Sequence, residues 1–182
     1  MVGRDKILDF LDRELNTEHF NQQEDTDFNG AWTEGSGEVE KIGLCTNTTF
    51  ENIEAAEDKN CDLVIVHHGG WERFDKDLLE QKKEAIEEAG ITWYIAHQPL
   101  DCADDYGVVV RCAEKLGIKV EGKYLDIQGG YHGRYGRLEV SKDEFERRVK
   151  EIEPDYNLIG SLEGIEDSKI GIVTGGGGLS TV

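Results

Sequence analysis

No apolar run in this chain approaches the roughly 20 residues needed to span a bilayer, which argues against a helical membrane protein. Positive charge is also scarce. The sequence carries 39 acidic side chains against 20 basic ones, a net charge of -19 over 182 residues. Such a surface repels phosphate backbones and anionic lipid, so neither nucleic acid nor a membrane is expected as a general partner. The acid excess fits either a solvated surface or adaptation to a salty cytoplasm. Cys45, Cys61, Cys102 and Cys112 lack CxxC spacing and form no small secreted framework. They read as reduced thiols of a cytoplasmic protein. Met1 to Phe10 alternates charged and apolar residues, unlike a signal peptide. There is no internal repeat.

The remaining pattern is that of an α/β fold with a parallel-rich sheet and flanking helices, read as one domain over residues 1–182. Ile7, Leu8, Leu11 and Leu15 recur at helical spacing. The polar stretch Asn16 to Glu38 reads as a long loop. Val39, Ile42 and Leu44 suggest a strand, and Thr48 with Glu51 suggests a capping box ahead of a helix. Leu63-Val64-Ile65-Val66 is a run of the kind buried on both faces of a parallel sheet. A helix from about Asp75 to Ala89, closed by Gly90, leads to a second strand, Ile91 to Ala96, completing a βαβ unit. A further helix stops at Gly117. Glycines from Gly122 to Gly136 suggest loops and short strands. Ser141 and Glu144 form another capping box, and Pro154 ends the helix that follows. Lys169 to Thr174 reads as a strand entering the run Gly175 to Gly178. That run lacks the Gly-Lys-Ser/Thr ending of a P-loop, so a tight turn is the simpler reading beside nucleotide binding.

Chemistry concentrates where the two central strands end. His67 and His68 follow the first, and His97 and Asp101 follow the second. A right-handed crossover makes those strands parallel neighbours, and ligands collect at the carboxyl ends of such strands. Three imidazoles and a carboxylate suit zinc, iron, nickel or manganese better than calcium or magnesium. After Val66 the chain is expected to turn, letting His67 and His68 face different ions with Asp101 bridging them. Cys102 could be a ligand or nucleophile, but reads better as a small buried thiol. His132 could contact substrate, or simply sit in a solvated loop. Trp71 and Trp93 flank the histidines as packing residues or pocket walls.

The segment Asp62 to Gly69, followed by Gly90-Ile91 and His97-Gln98-Pro99-Leu100-Asp101, resembles the NGG1-interacting-factor-three-like (Nif3-like) family, whose members are often called GTP cyclohydrolase 1 type 2 homologues. The resemblance extends from Asp27-Phe28-Asn29-Gly30 through Tyr135-Gly136-Arg137 to the glycine run. It implies two divalent metal ions held by His67, His68 and Asp101, with His97 lining or ligating the site. It also implies a homo-oligomer, a toroidal hexamer in the family. The family continues past its last glycine-rich strand into a segment that supplies a further histidine and a glutamate. No histidine follows His132 here, so the expectation is a chain truncated after Val182.

These features favour a metal-dependent hydrolase acting on a small molecule of the nucleotide or phosphoester class, with His97 as its general acid or base if it is not a ligand. The alternative is a non-catalytic metal-binding, metal-delivery or regulatory scaffold protein.

Overall fold

The apolar run Leu63 to Val66 becomes the interior of a strand because its side chains find cover: Leu63, Val64 and Val66 are all buried. The computed structural model describes residues 1–23, 27–71 and 75–174, and the chain divides into two compact units, Met1–Leu100 and Asp101–Val182.

The first unit opens with β1 (Val2–Gly3), α1 (Arg4–Leu15), α2 (Thr17–Asn21), β2 (Gly30–Thr33), β3 (Glu38–Val39) and β4 (Ile42–Asn47). It continues with α3 (Phe50–Asp58), β5 (Leu63–His68), α4 (Leu78–Glu88) and β6 (Thr92–Ile95), and α5 (Gln98–Cys102) follows. β1 and β3 form a two-stranded ribbon. The main sheet has the order β2-β6-β5-β4, in which β4, β5 and β6 are parallel and β2 is antiparallel to β6. Ile53 and Ala56 of α3 and Ile86 of α4 pack with Val64, Val66, Trp93 and Ile95 of the sheet. Every residue of β6 is buried. Its two aromatics spend their polar tips on partners, as buried Trp and Tyr must. Trp93 Nε1 donates to Thr48 Oγ1 at 3.0 Å, and the Tyr94 hydroxyl donates to Asp12 Oδ1 at 2.8 Å.

Three local expectations are corrected. The stretch from Asn16 to Glu38 is not one loop, since it contains α2 and β2. Its polar side chains satisfy backbone groups: Thr33 Oγ1 donates to Ile91 O at 2.9 Å, and Asn21 and Asn29 exchange side-chain and backbone hydrogen bonds. The cap of α3 is Thr49, whose hydroxyl accepts from Asn52 N, rather than Thr48. The Thr48 hydroxyl is already committed to Trp93 and to the carbonyl of His68. In the second unit, the glycine-rich stretch forms two long strands rather than loops.

That second unit contains α6 (Val108–Leu116), β7 (Ile118–Ile127), β8 (Gly130–Leu138), α7 (Lys142–Ile152) and β9 (Ile170–Val173). The three strands are antiparallel in the order β7-β8-β9, around a core of Ala113, Ile118 and Phe145. Gln128 and Gly129 both have positive φ, as a two-residue hairpin turn requires. Gly122 lies opposite Tyr135, and Gly133 opposite Tyr124. A Cβ at either glycine would run into the facing tyrosine ring, so these glycines make room for cross-strand aromatics. Ser141 caps α7 as expected, accepting from Glu144 N at 3.3 Å, and the helix ends at Ile152, ahead of Pro154. The tetraglycine lies outside the described residues. All four cysteines are free, and no helix among the described residues is long and apolar enough to cross a membrane.

Asp62 fastens the start of the main sheet. Its Oδ2 accepts from Glu40 N at 2.8 Å and Lys41 N at 2.9 Å, and its carbonyl accepts from Thr92 N at 3.0 Å. The backbone donors of Lys41 and Glu40 hold its carboxyl below the usual carboxylate range. A depressed folded-state pKa contributes stability above the unfolded value, near 4, that is lost as the pH falls towards the folded value. Asp62→Asn should therefore lower stability at pH 7 by on the order of 1 kcal/mol. Urea unfolding at pH 7 and at pH 3 should show that gap narrowing in acid, and a gap of constant size would contradict the assignment.

Candidate metal centre

β5 and β6 leave the sheet side by side. Val66 pairs with Ile95, and Ala96 N donates to Val66 O at 2.9 Å, so the residues that follow both strands emerge at one edge. His67, His68 and His97 meet there, each offering a ligand atom within 4.8 Å of the others, and all three are half-buried. The ring centroids are 4.6 Å apart for His67 and His68, and 5.1 and 5.2 Å for their approaches to His97. The chain does not turn after Val66 as expected. Both histidines are the last residues of β5, with His68 opposite Asn47, yet their rings lie together rather than on opposite faces.

Hydrogen bonds assign the tautomers. His67 Nδ1 donates to Ala96 O at 3.1 Å, His68 Nδ1 to Asn47 Oδ1 at 2.7 Å, and His97 Nδ1 to Asp27 Oδ2 at 2.8 Å. An imidazole that donates from Nδ1 keeps the lone pair on Nε2, the arrangement that oriented metal-ligating histidines use. Three imidazoles in such proximity match a late first-row divalent ion. The donor set fits the group that the sequence suggested.

Asp27 and Asn47 carry roles that were not assigned from the sequence. Asp27 Oδ2 also accepts from Trp71 Nε1 at 2.8 Å. Asn29 Oδ1 accepts from His97 N at 2.9 Å, holding the backbone of the same histidine. Trp71 packs beside the cluster, with its ring centroid 4.9 Å from His68 and 5.9 Å from His97. Trp71 is itself anchored, because Asp75 Oδ2 accepts from its backbone N–H and Asp75 pairs with the nearly buried Lys82. Burial alone would raise the Asp75 carboxyl, but Lys82 and the Trp71 N–H overrule it and hold it below its ordinary range.

The other candidates fall as follows. Asp101 lies on α5, at the start of the second unit. Arg134, buried on β8, donates to Cys102 O at 2.9 Å and so fixes the backbone just after Asp101. Burial, followed by the charge of Asp101, pushes the Cys102 thiol up to about 12, which leaves it protonated at neutral pH and a poor nucleophile. His132 is a strand residue of β8, not a loop residue. Trp93 is a core residue and Trp71 a wall of the site.

A cluster of oriented histidines at the carboxyl edge of a parallel sheet defines an α/β protein with a candidate divalent-metal centre. The chain belongs to the Duf34/NIF3 (NGG1p interacting factor 3) family, whose model matches residues 3–181. A GTP cyclohydrolase 1 type 2 homolog of Pyrococcus horikoshii is 29% identical to it, over 98% of this chain and 73% of the relative. Among solved structures, a Thermus thermophilus protein matches with a TM-score of 0.65 and 25% identity, over 83% of this chain and 61% of its own. Reduced HcgD from Methanocaldococcus jannaschii shares the fold, with a TM-score of 0.64 and 21% identity, over 82% of this chain and 60% of its own. The chain thus spans about three fifths of the length of these two solved proteins.

If Asp27 sets the tautomer of His97, replacing its charge should weaken metal binding without unfolding the protein. Asp27→Asn is expected to lower zinc affinity by about 10- to 100-fold, the usual effect of removing such a partner. Titration against a chromophoric chelator would measure this, with circular dichroism as the folding control. Unchanged affinity would remove Asp27 from the centre.

Proposed function

We propose that this protein is a metal-dependent hydrolase acting on a small molecule of the nucleotide or phosphoester class, with two divalent ions of zinc, iron, nickel or manganese at the histidine cluster. The observation that carries the reading is the common orientation of His67, His68 and His97, each donating from Nδ1 to a separate acceptor. The name of the Pyrococcus relative supports the substrate class. His67, His68 and His97 would hold the metal through Nε2, and Asp101, carried over from the family pattern, would add an oxygen donor.

A bound divalent ion supplies Lewis acidity and a water acidified towards a pKa of about 7. The protein's own groups do the rest. Ala96 O, Asn47 and Asp27 keep the three imidazoles in fixed orientation, so little reorganisation is needed when substrate arrives. Where His97 is not engaged as a ligand, its Nε2 is the atom that takes or gives a proton, and Asp27 stabilises the charged ring as the carboxylate of a His–Asp pair does. The net charge of -19 leaves a small molecule a better substrate than a polynucleotide.

Elemental analysis of protein loaded with zinc or manganese should give near-stoichiometric metal, and His68→Ala and Asp101→Ala should each reduce it while circular dichroism is kept. Loaded protein should release phosphate or open a purine ring from nucleotide or phosphoester substrates faster than chelator-stripped protein. Full metal content in both variants would sink the site assignment. Tight, exchangeable metal without turnover would instead favour a metal-delivery protein.

A further inference from the structure

Beside His97 lies a cavity of about 130 Å³ that the proposed reaction does not yet use. Its apolar lining mixes three aromatic side chains, Phe28, Trp32 and Trp71, with the aliphatic Leu79 and Ile95. Gly70 contributes a wall with no side chain, and Asp27 and His97 lie on its polar side. The volume is close to the roughly 150 Å³ of an engineered apolar cavity that holds benzene. A flat ring system, single or fused, is of the size that such a space takes.

From this geometry we infer that the cavity is a slot for a planar, nitrogen-bearing ring system of the substrate, packed against the aromatic side chains of its lining, with a ring N–H or amino group directed at Asp27. Aromatic walls favour flat π-systems over aliphatic groups of equal volume. A carboxylate has about four acceptor positions, of which Asp27 uses two among the described residues, for His97 and Trp71. The remaining capacity suits a donor on the ligand. An anionic ring is disfavoured by the same carboxylate and by the acidic surface.

The inference deepens the hydrolase reading and rests on it for its catalytic meaning, because a ring held here sits next to the histidines. Its test is independent of turnover. Tryptophan emission would be followed during titration with cytosine, 2-aminopyrimidine or adenine, using cyclohexylamine as a non-planar control and benzoate as an anionic one. Each titration would be run on chelator-stripped and on zinc-loaded protein, with metal content measured in parallel.

Saturable quenching by the planar ring donors with a dissociation constant near about 1 mM is expected, typical of fragments of this size. The controls should bind at least about tenfold more weakly, one factor of ten being 1.4 kcal/mol. Trp32→Leu, which leaves the histidine neighbours in place, and Trp71→Leu should each weaken the planar ring ligands by about the same factor. Calorimetry would serve as readout for the tryptophan variants. No saturation by about 10 mM, equal binding of cyclohexylamine, or unchanged affinity in both variants would overturn the slot. Ring binding in a protein that takes up no metal would keep the slot and remove the hydrolase reading, while metal uptake without ring binding would do the reverse.

Discussion

The parallel register of β5 and β6 is the constraint on which the site depends. It is closed at one end by Thr92 N donating to Asp62 O and at the other by Ala96 N donating to Val66 O. Between these bonds every residue of β6 is buried and Val64 and Val66 are covered by α3 and α4. The two strands cannot slip without turning Trp93 and Tyr94 out of their environments. With the register fixed, His67 and His97 must leave the sheet as neighbours. The metal-binding potential of the centre is a consequence of core packing several residues away.

This part of the molecule was readable from the sequence because a single periodicity carries it. The run Leu63 to Val66 and the run Ile91 to Ala96 announce strands, and a crossover between them places their ends together. The histidines needed no long-range inference. Asp27 and Asn47 were not readable, since their roles come from hydrogen bonds across the sheet: Asp27 lies 70 residues before the histidine it orients, and Asn47 lies 21 before its own. Nothing in the spacing of a polar loop distinguishes an aspartate that turns inward from one that faces water.

The hairpin of β7 and β8 was hidden for a different reason. Gly122, Gly133 and Gly136 look like turn residues when read along the chain. Across the sheet, two of them are the flat ground on which tyrosine rings lie, and Gly136 gives clearance to the backbone of Lys119. Only Gln128 and Gly129 form the turn. Glycine carries two opposite meanings in strands, a break or a seat for a partner, and the partner decides which applies.

Asp27 has a consequence that reaches beyond orienting one ring. A single oxygen of its carboxylate joins the Nδ1–H of a candidate ligand, His97, to the indole N–H of Trp71. A metal held by the histidines and a ring lying against the indole would therefore meet through this one oxygen. Thermodynamic reciprocity makes any coupling between them equal in both directions. An ion arriving at the histidines would tune how firmly the indole is held, and a guest against the indole would tune the grip on the ion by the same factor. One acceptor atom is thus common to the histidine cluster and to the aromatic side chain beside it.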